Sequence, residues 1–113
     1  MLFFSEARAI QAIQPVLEVQ PATIVAADSS SISVIKIITT PPFLAGRTVN
    51  FKTSLGKFLF ANAPLNDYST TFDNNGVAKA YLYENDTAQT GKAIVLVKYY
   101  NNLTIDTSVD IIE

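Results

Sequence analysis

From Val16 to the end, this chain is written in short stretches of Val, Ile, Thr, Phe and Tyr, broken about every eight to twelve residues by clusters of turn-forming residues. The breaks include Ala27-Asp28-Ser29-Ser30-Ser31, Thr40-Pro41-Pro42, Ala45-Gly46, Leu55-Gly56, Asn62-Ala63-Pro64, Asp73-Asn74-Asn75-Gly76, Glu84-Asn85-Asp86, Thr90-Gly91 and Asn101-Asn102. β-Branched and aromatic side chains suit a pleated, half-buried surface, while Gly, Pro, Asn and Asp bend the backbone by conformation or local hydrogen bonding. The spacing predicts an all-β sandwich or barrel of about seven or eight strands.

Alternation sharpens the expectation. After Gly76, Ala78, Ala80 and Leu82 take one face while Val77, Lys79, Tyr81 and Tyr83 take the other. After Gly91, Ala93, Val95 and Val97 alternate with Lys92, Ile94, Leu96 and Lys98. After Asn102, Leu103, Ile105, Val109 and Ile111 alternate with Thr104, Asp106, Ser108 and Asp110, and Val49 and Phe51 alternate with Asn50 and Lys52. Residues 32–39 are apolar on both faces apart from Lys36, which is the pattern of a central strand.

The first fifteen residues read differently. Phe3, Ala7, Ile10 and Ile13 recur at helical spacing, Ser5 is a suitable cap and Pro15 a suitable stop. Residues 1–15 are therefore expected to form a short helix or an extended arm ahead of a sandwich over 16–113. The segment does not read as a cleaved signal, because the apolar stretch at Leu2, Phe3 and Phe4 is short and no basic residue precedes it. No run approaches the roughly 20 apolar residues of a membrane-spanning helix.

Composition removes much of chemistry. The chain has 113 residues, no Cys and no His, so thiolate sites, disulfides and the commonest metal ligand and general base are absent. Its net charge is -2 and its Lys and Arg residues are dispersed, which argues against nucleic acid as a partner. The expectation is a protein that is not an enzyme, with no catalytic, cofactor or metal site.

The order of these motifs resembles the bacterial immunoglobulin-like domains that occur in tandem in invasin- and intimin-type adhesins. The resemblance is carried by Pro21-Ala22-Thr23-Ile24 leading into Ala27-Asp28-Ser29, and by the stretch Ala45-Gly46-Arg47-Thr48-Val49-Asn50-Phe51. It continues through Thr71-Phe72-Asp73-Asn74-Asn75-Gly76-Val77-Ala78 and Thr90-Gly91-Lys92-Ala93, so that it covers roughly residues 22–113. The chain departs from the pattern at Thr39-Thr40-Pro41-Pro42-Phe43 and across the apolar residues 58–68 with Pro64. What the resemblance implies is an immunoglobulin-like antiparallel sandwich acting as a structural or adhesive module of a larger bacterial cell-surface or secreted protein. Its partners would be the neighbouring domains of a longer chain.

Individual motifs have plainer readings. Asp73-Asn74-Asn75-Gly76 looks like part of a calcium loop, yet Lys79 and Tyr81 stand where further oxygen ligands belong, so a hairpin turn is expected. Asp106 and Asp110 lie on the outward face of one strand, about 13 Å apart, and read as a solvated face. Lys36 within an apolar strand suggests an isopeptide donor if Asn50 or Asn101 and an acid converge on it; an outward lysine with a packed stem explains it as simply. Asn85-Asp86-Thr87 and Asn102-Leu103-Thr104 fit the glycosylation pattern and read as turns.

One face is singled out. If the strands after Gly76 and Gly91 pair, as the resemblance implies, Tyr81, Tyr83, Ile94 and Leu96 form one apolar surface flanked by Lys79, Lys92 and Lys98. A patch of that size marks a contact. Residues 1–15 folding over it, a homodimer through that segment or that face, and a protein or glycan partner stacking on Tyr81, Tyr83 or Tyr99 are the occupants to separate.

Overall fold

The computed structural model describes residues 15–39 and 44–113. The expected helix or arm in residues 1–15, apart from Pro15, and the loop residues Thr40, Pro41, Pro42 and Phe43 lie outside the described residues. Those described are all-β, with nine strands: β1 Val16–Gln20, β2 Thr23–Val25, β3 Ser33–Ile38, β4 Thr48–Thr53, β5 Lys57–Phe58, β6 Asp67–Thr71, β7 Val77–Tyr83, β8 Gly91–Tyr100 and β9 Leu103–Ile112. They form a four-stranded sheet in the order β1-β3-β7-β5 and a five-stranded sheet in the order β2-β9-β8-β4-β6. All pairings are antiparallel except β2 with β9, which is parallel.

Alternation explains how the two sheets close on each other. Ile35, Ile37, Ala78, Ala80 and Leu82 from the first sheet and Val49, Phe51, Ala93, Val95, Val97, Val109 and Ile111 from the second are buried together in one core. Each large aliphatic or aromatic side chain buried this way contributes roughly 1.5–3 kcal/mol. The residues expected inward on β4, β7 and β8 are the ones buried, and β3 occupies the expected interior position between β1 and β7.

The strand count exceeds the expected seven or eight because two elements are too short to show periodicity. The two-residue β5 is held by its side chain: Phe58 packs with Phe51 of β4 and Tyr68 of β6, at centroid distances of 6.3 and 6.4 Å. Phe51 and Tyr68 are themselves 6.4 Å apart, so three rings from both sheets close one lateral side. Before β5, Gly56 turns at φ +84°, and a Cβ there would lie 3.0 Å from Leu82 Cδ1 and 3.1 Å from the Tyr83 carbonyl oxygen. Close approach and left-handed backbone together require glycine.

Two turns differ in kind. Asn101 and Asn102, at φ 46° and 67°, link β8 to β9 with both central residues left-handed, the conformation that matches hairpin twist. Asp73-Asn74-Asn75-Gly76 is not a hairpin turn, since β6 and β7 belong to different sheets. Its local chemistry is nonetheless that of a tight turn: Asp73 Oδ1 accepts from the N–H groups of Asn75 at 2.8 Å and Val77 at 3.0 Å. The Gly76 carbonyl accepts from Thr39 N–H at 2.9 Å and from the buried Thr39 hydroxyl at 3.0 Å, fastening this crossover to the end of β3.

Candidate functional site

The face expected to unite Tyr81, Tyr83, Ile94 and Leu96 does not exist as one surface. β7 pairs with β3 and β5, β8 pairs with β4 and β9, and the connection between β7 and β8 crosses from one sheet to the other. Alternation places every one of these side chains outward as expected, but period two says which way a residue points and nothing about which strand lies beside it. The seven residues divide between opposite outer faces of the sandwich.

On the four-stranded sheet, Lys79 stands opposite Lys36, Tyr81 opposite Val34, and Tyr83 opposite Lys57. Lys36 Nζ lies 3.6 Å from Glu18 Oε1 on β1, which offsets the like charge of Lys79. Asn50 is on the other sheet, with its amide donating to Asp67 Oδ1 at 2.6 Å and Ser69 Oγ at 2.9 Å. Asn101 is at the tip of the β8–β9 hairpin, also on that sheet. Neither Asn50 nor Asn101 is therefore placed to form an isopeptide bond with Lys36.

On the five-stranded sheet, Ile94 and Leu96 are 44% and 42% exposed and sit in a polar frame. Lys92 faces Asp110, Ile94 faces Ser108, Leu96 lies between Asp106 and Lys52, and Lys98 lies between Thr104 and Asn50. Asp106 and Asp110 hold the outward positions the alternation gave them. Tyr99 does not join any outer platform: it sits at a register irregularity in β8 and is buried at 8% exposure. Its neighbour Tyr100 carries the Arg47 guanidinium 5.5 Å from its ring centre.

Two features stand out beyond those expected. Phe60 is 78% exposed and holds φ 66°, a left-handed backbone that bulky residues rarely adopt, with its ring edge-on to Tyr81 at 6.4 Å and 88°. An aromatic pair, Phe60 exposed and Tyr81 half-buried, thus stands at the rim of the four-stranded sheet. Glu84 is 2% exposed and its Oε2 accepts from Lys57 Nζ at 2.7 Å and from Asp86 N–H at 3.1 Å. Its main-chain carbonyl accepts from Ala27 N–H at 2.7 Å, so the same residue fastens the end of β2 to the end of β7.

Next to this ion pair is a cleft of about 320 Å³ lined by Ala27, Asp28, Leu59, Tyr83, Glu84 and Asn85 among others. The Ser30 hydroxyl at 2.7 Å and the Ser30 N–H at 3.0 Å hold the exposed Asp28 carboxyl below the usual carboxylate range. Glu84 was legible in principle. Continuing the inward series Ala78, Ala80, Leu82 by one step reaches it, but its place in a polar cluster marked it as a turn. Phe60 had no such signal, because it belongs to no strand.

Chemically this cleft offers acceptors and an aromatic wall. Its one buried acid is already neutralised by Lys57 and the Asp86 N–H. Among the described residues, no group of three or more Asp and Glu side chains is placed to hold a metal ion, and no helix is long and apolar enough to cross a membrane. No protein-family model matches this chain, and no curated protein matches it.

Proposed function

We propose that the chain is a non-catalytic immunoglobulin-like module, structural or adhesive, of a larger bacterial cell-surface or secreted protein. The observation that carries this reading is the direction of the chain through the sandwich. The parallel pairing of β2 with β9 and the crossover of the chain from β1 to β2 place Val16 at one pole, with the β8–β9 hairpin tip, and Glu113 at the other. A module entered at one pole and left at the other can be linked in series with its long axis along the load.

Strand order supports the same reading. β1-β3-β7-β5 over β9-β8-β4-β6, with β1 and β2 on different sheets, is compatible with the immunoglobulin layout except at two strands. The departure is that β5, the strand beside β7, precedes β6, the strand beside β4. Surface labelling tests the location: an epitope-tagged product of the whole gene is expected to react with a membrane-impermeant reagent on intact cells or to be recovered from the medium. Labelling that requires lysis would remove the proposal.

A second reading, a carbohydrate- or protein-binding accessory module, is favoured by Phe60 on Tyr81. An aromatic held exposed in a costly backbone conformation is a common mark of a ligand contact. Glycan-array binding that is lost in Phe60→Ala and Tyr81→Ala, and retained in Ile94→Ala on the opposite face, is the expected signature. Binding to no glycan would withdraw the carbohydrate form of this reading.

A further inference from the structure

One strand edge differs from all the others. β9 spans Leu103–Ile112, and β2 pairs with it only from Asp110 to Ile112. Among the described residues nothing pairs with 103–109 on the side away from β8. The direction of the free groups follows from the part that is covered: Asp110 N–H donates to the Ala22 carbonyl, and the Ile112 carbonyl accepts from Ala26 N–H. Even-numbered β9 residues therefore aim their backbone groups at this edge, and Thr104, Asp106 and Ser108 present unpaired donors and acceptors along it.

Sheet edges are normally blunted by shortness, proline, lysine or a bulge. β5 has two residues and β2 three; β1 has five and is flanked by Pro15 and Pro21; β6 has five and carries Asp67 in its ion pair with Lys52. The open part of β9 has no Pro, Lys, Arg or Gly, and its inward side shows Leu103 at 43% exposure beside the half-buried Ile105 and Thr107.

We propose that this edge binds a second copy of the chain, β9 against β9, antiparallel about a two-fold axis through Ile105, merging the two five-stranded sheets into one. Charge selects the register. An axis through Asp106 would put two carboxylates directly opposite one another, which is destabilising. An axis through Ile105 sets Asp106 against the partner's Thr104, and these two residues exchange both backbone hydrogen bonds on each side of the axis, about four bonds in all.

Side chains complement this register. Lys98 is the cross-strand neighbour of Thr104 on the outward face, so Asp106 comes within two strands, roughly 10 Å between backbones, of the partner's Lys98. A lysine side chain spans much of that distance. Among the described residues the ion pairs are Glu18 with Lys36, Asp67 with Lys52 and Glu84 with Lys57, so neither Lys98 nor Asp106 is satisfied within one copy. On the inward side the two Ile105 side chains meet, and Leu103 is covered by the partner's Thr107. The contact is self-complementary and closed, as a two-fold interface requires.

Sedimentation equilibrium of the full chain from about 1 μM to about 1 mM tests this, a range that covers weak and moderate dimers. The expected result is a reversible monomer–dimer equilibrium. Asp106→Lys and Lys98→Glu should each weaken it about ten-fold or more, and the double exchange should return it to within about three-fold of wild type. Asp106→Pro deletes an N–H aimed at the partner and none used by β8, so it should leave a folded monomer by circular dichroism. If that variant does not fold, the charge exchange still decides. A chain that stays monomeric throughout, or a dimer indifferent to both single exchanges or not rescued by the double one, overturns the proposal.

Discussion

The two lateral sides of the sandwich are built on opposite plans. On the β5–β6 side, the strands are short and the closure is made by side chains: Phe51, Phe58 and Tyr68 meet across the sheets and Lys57 neutralises the buried Glu84. On the β9 side, the strand is long and no described residue pairs with the outer backbone edge over 103–109. Side-chain packing closes the side where the ladder is shortest, and unspent hydrogen-bonding capacity lies along the longer strand. A side locked by packing tolerates irregular backbone, while a side left open needs regular backbone if it is to accept another strand.

That contrast is most strongly broken by removing its aromatic lock. Phe58→Ala should cost about 3–5 kcal/mol in urea unfolding, because the two-residue β5 has little else to hold it. Next is the ion pair. Lys57→Ala should cost about 3 kcal/mol by leaving Glu84 buried and unpaired, whereas the paired change Lys57→Met with Glu84→Leu should cost far less. An equal loss in the single and paired variants would mean that the charges are not what matters there.

On the open side the same measurement should show almost nothing. Leu103→Ser should change monomer stability by less than about 1 kcal/mol, since that side chain is 43% exposed. The smallest effect is expected at Asp28, whose carboxyl is lowered first by the Ser30 hydroxyl and then by the Ser30 N–H. A group with a lowered folded-state value stabilises above its unfolded value and loses that contribution as pH falls through the folded one. The difference between wild type and Asp28→Asn should thus be constant from neutral pH down to the ordinary carboxylate range and disappear below it. A difference that grows on acidification would contradict the assignment.

The sequence made half of this comparison readable. Alternation identified the inward residues of β4, β7 and β8, because one buried and one wet face leave a period-two record in those strands. It could not reveal that β7 and β8 lie in different sheets, and the pairing taken from the resemblance set Tyr81 and Leu96 on one face where they stand on two. Pairing is decided by contacts between residues distant in sequence, and those leave no local trace. Phe58 and Phe60 were unreadable for a simpler reason, since two residues of strand and a left-handed bend have no period. The edge of β9 was invisible as well: its alternation shows a good strand, and only the three-residue length of β2 shows that, among the described residues, most of it has no partner.

Amide hydrogen exchange on β9, at a concentration where the chain is monomeric, tests the contrast most directly. In an open edge the N–H groups of Thr104, Asp106 and Ser108 face solvent while those of Ile105, Thr107 and Val109 are bonded to β8. The account predicts alternating exchange along 103–109, fast at the even positions and slow at the odd ones. Uniform slow exchange across those residues in the monomer would contradict it, because the edge would then already be occupied.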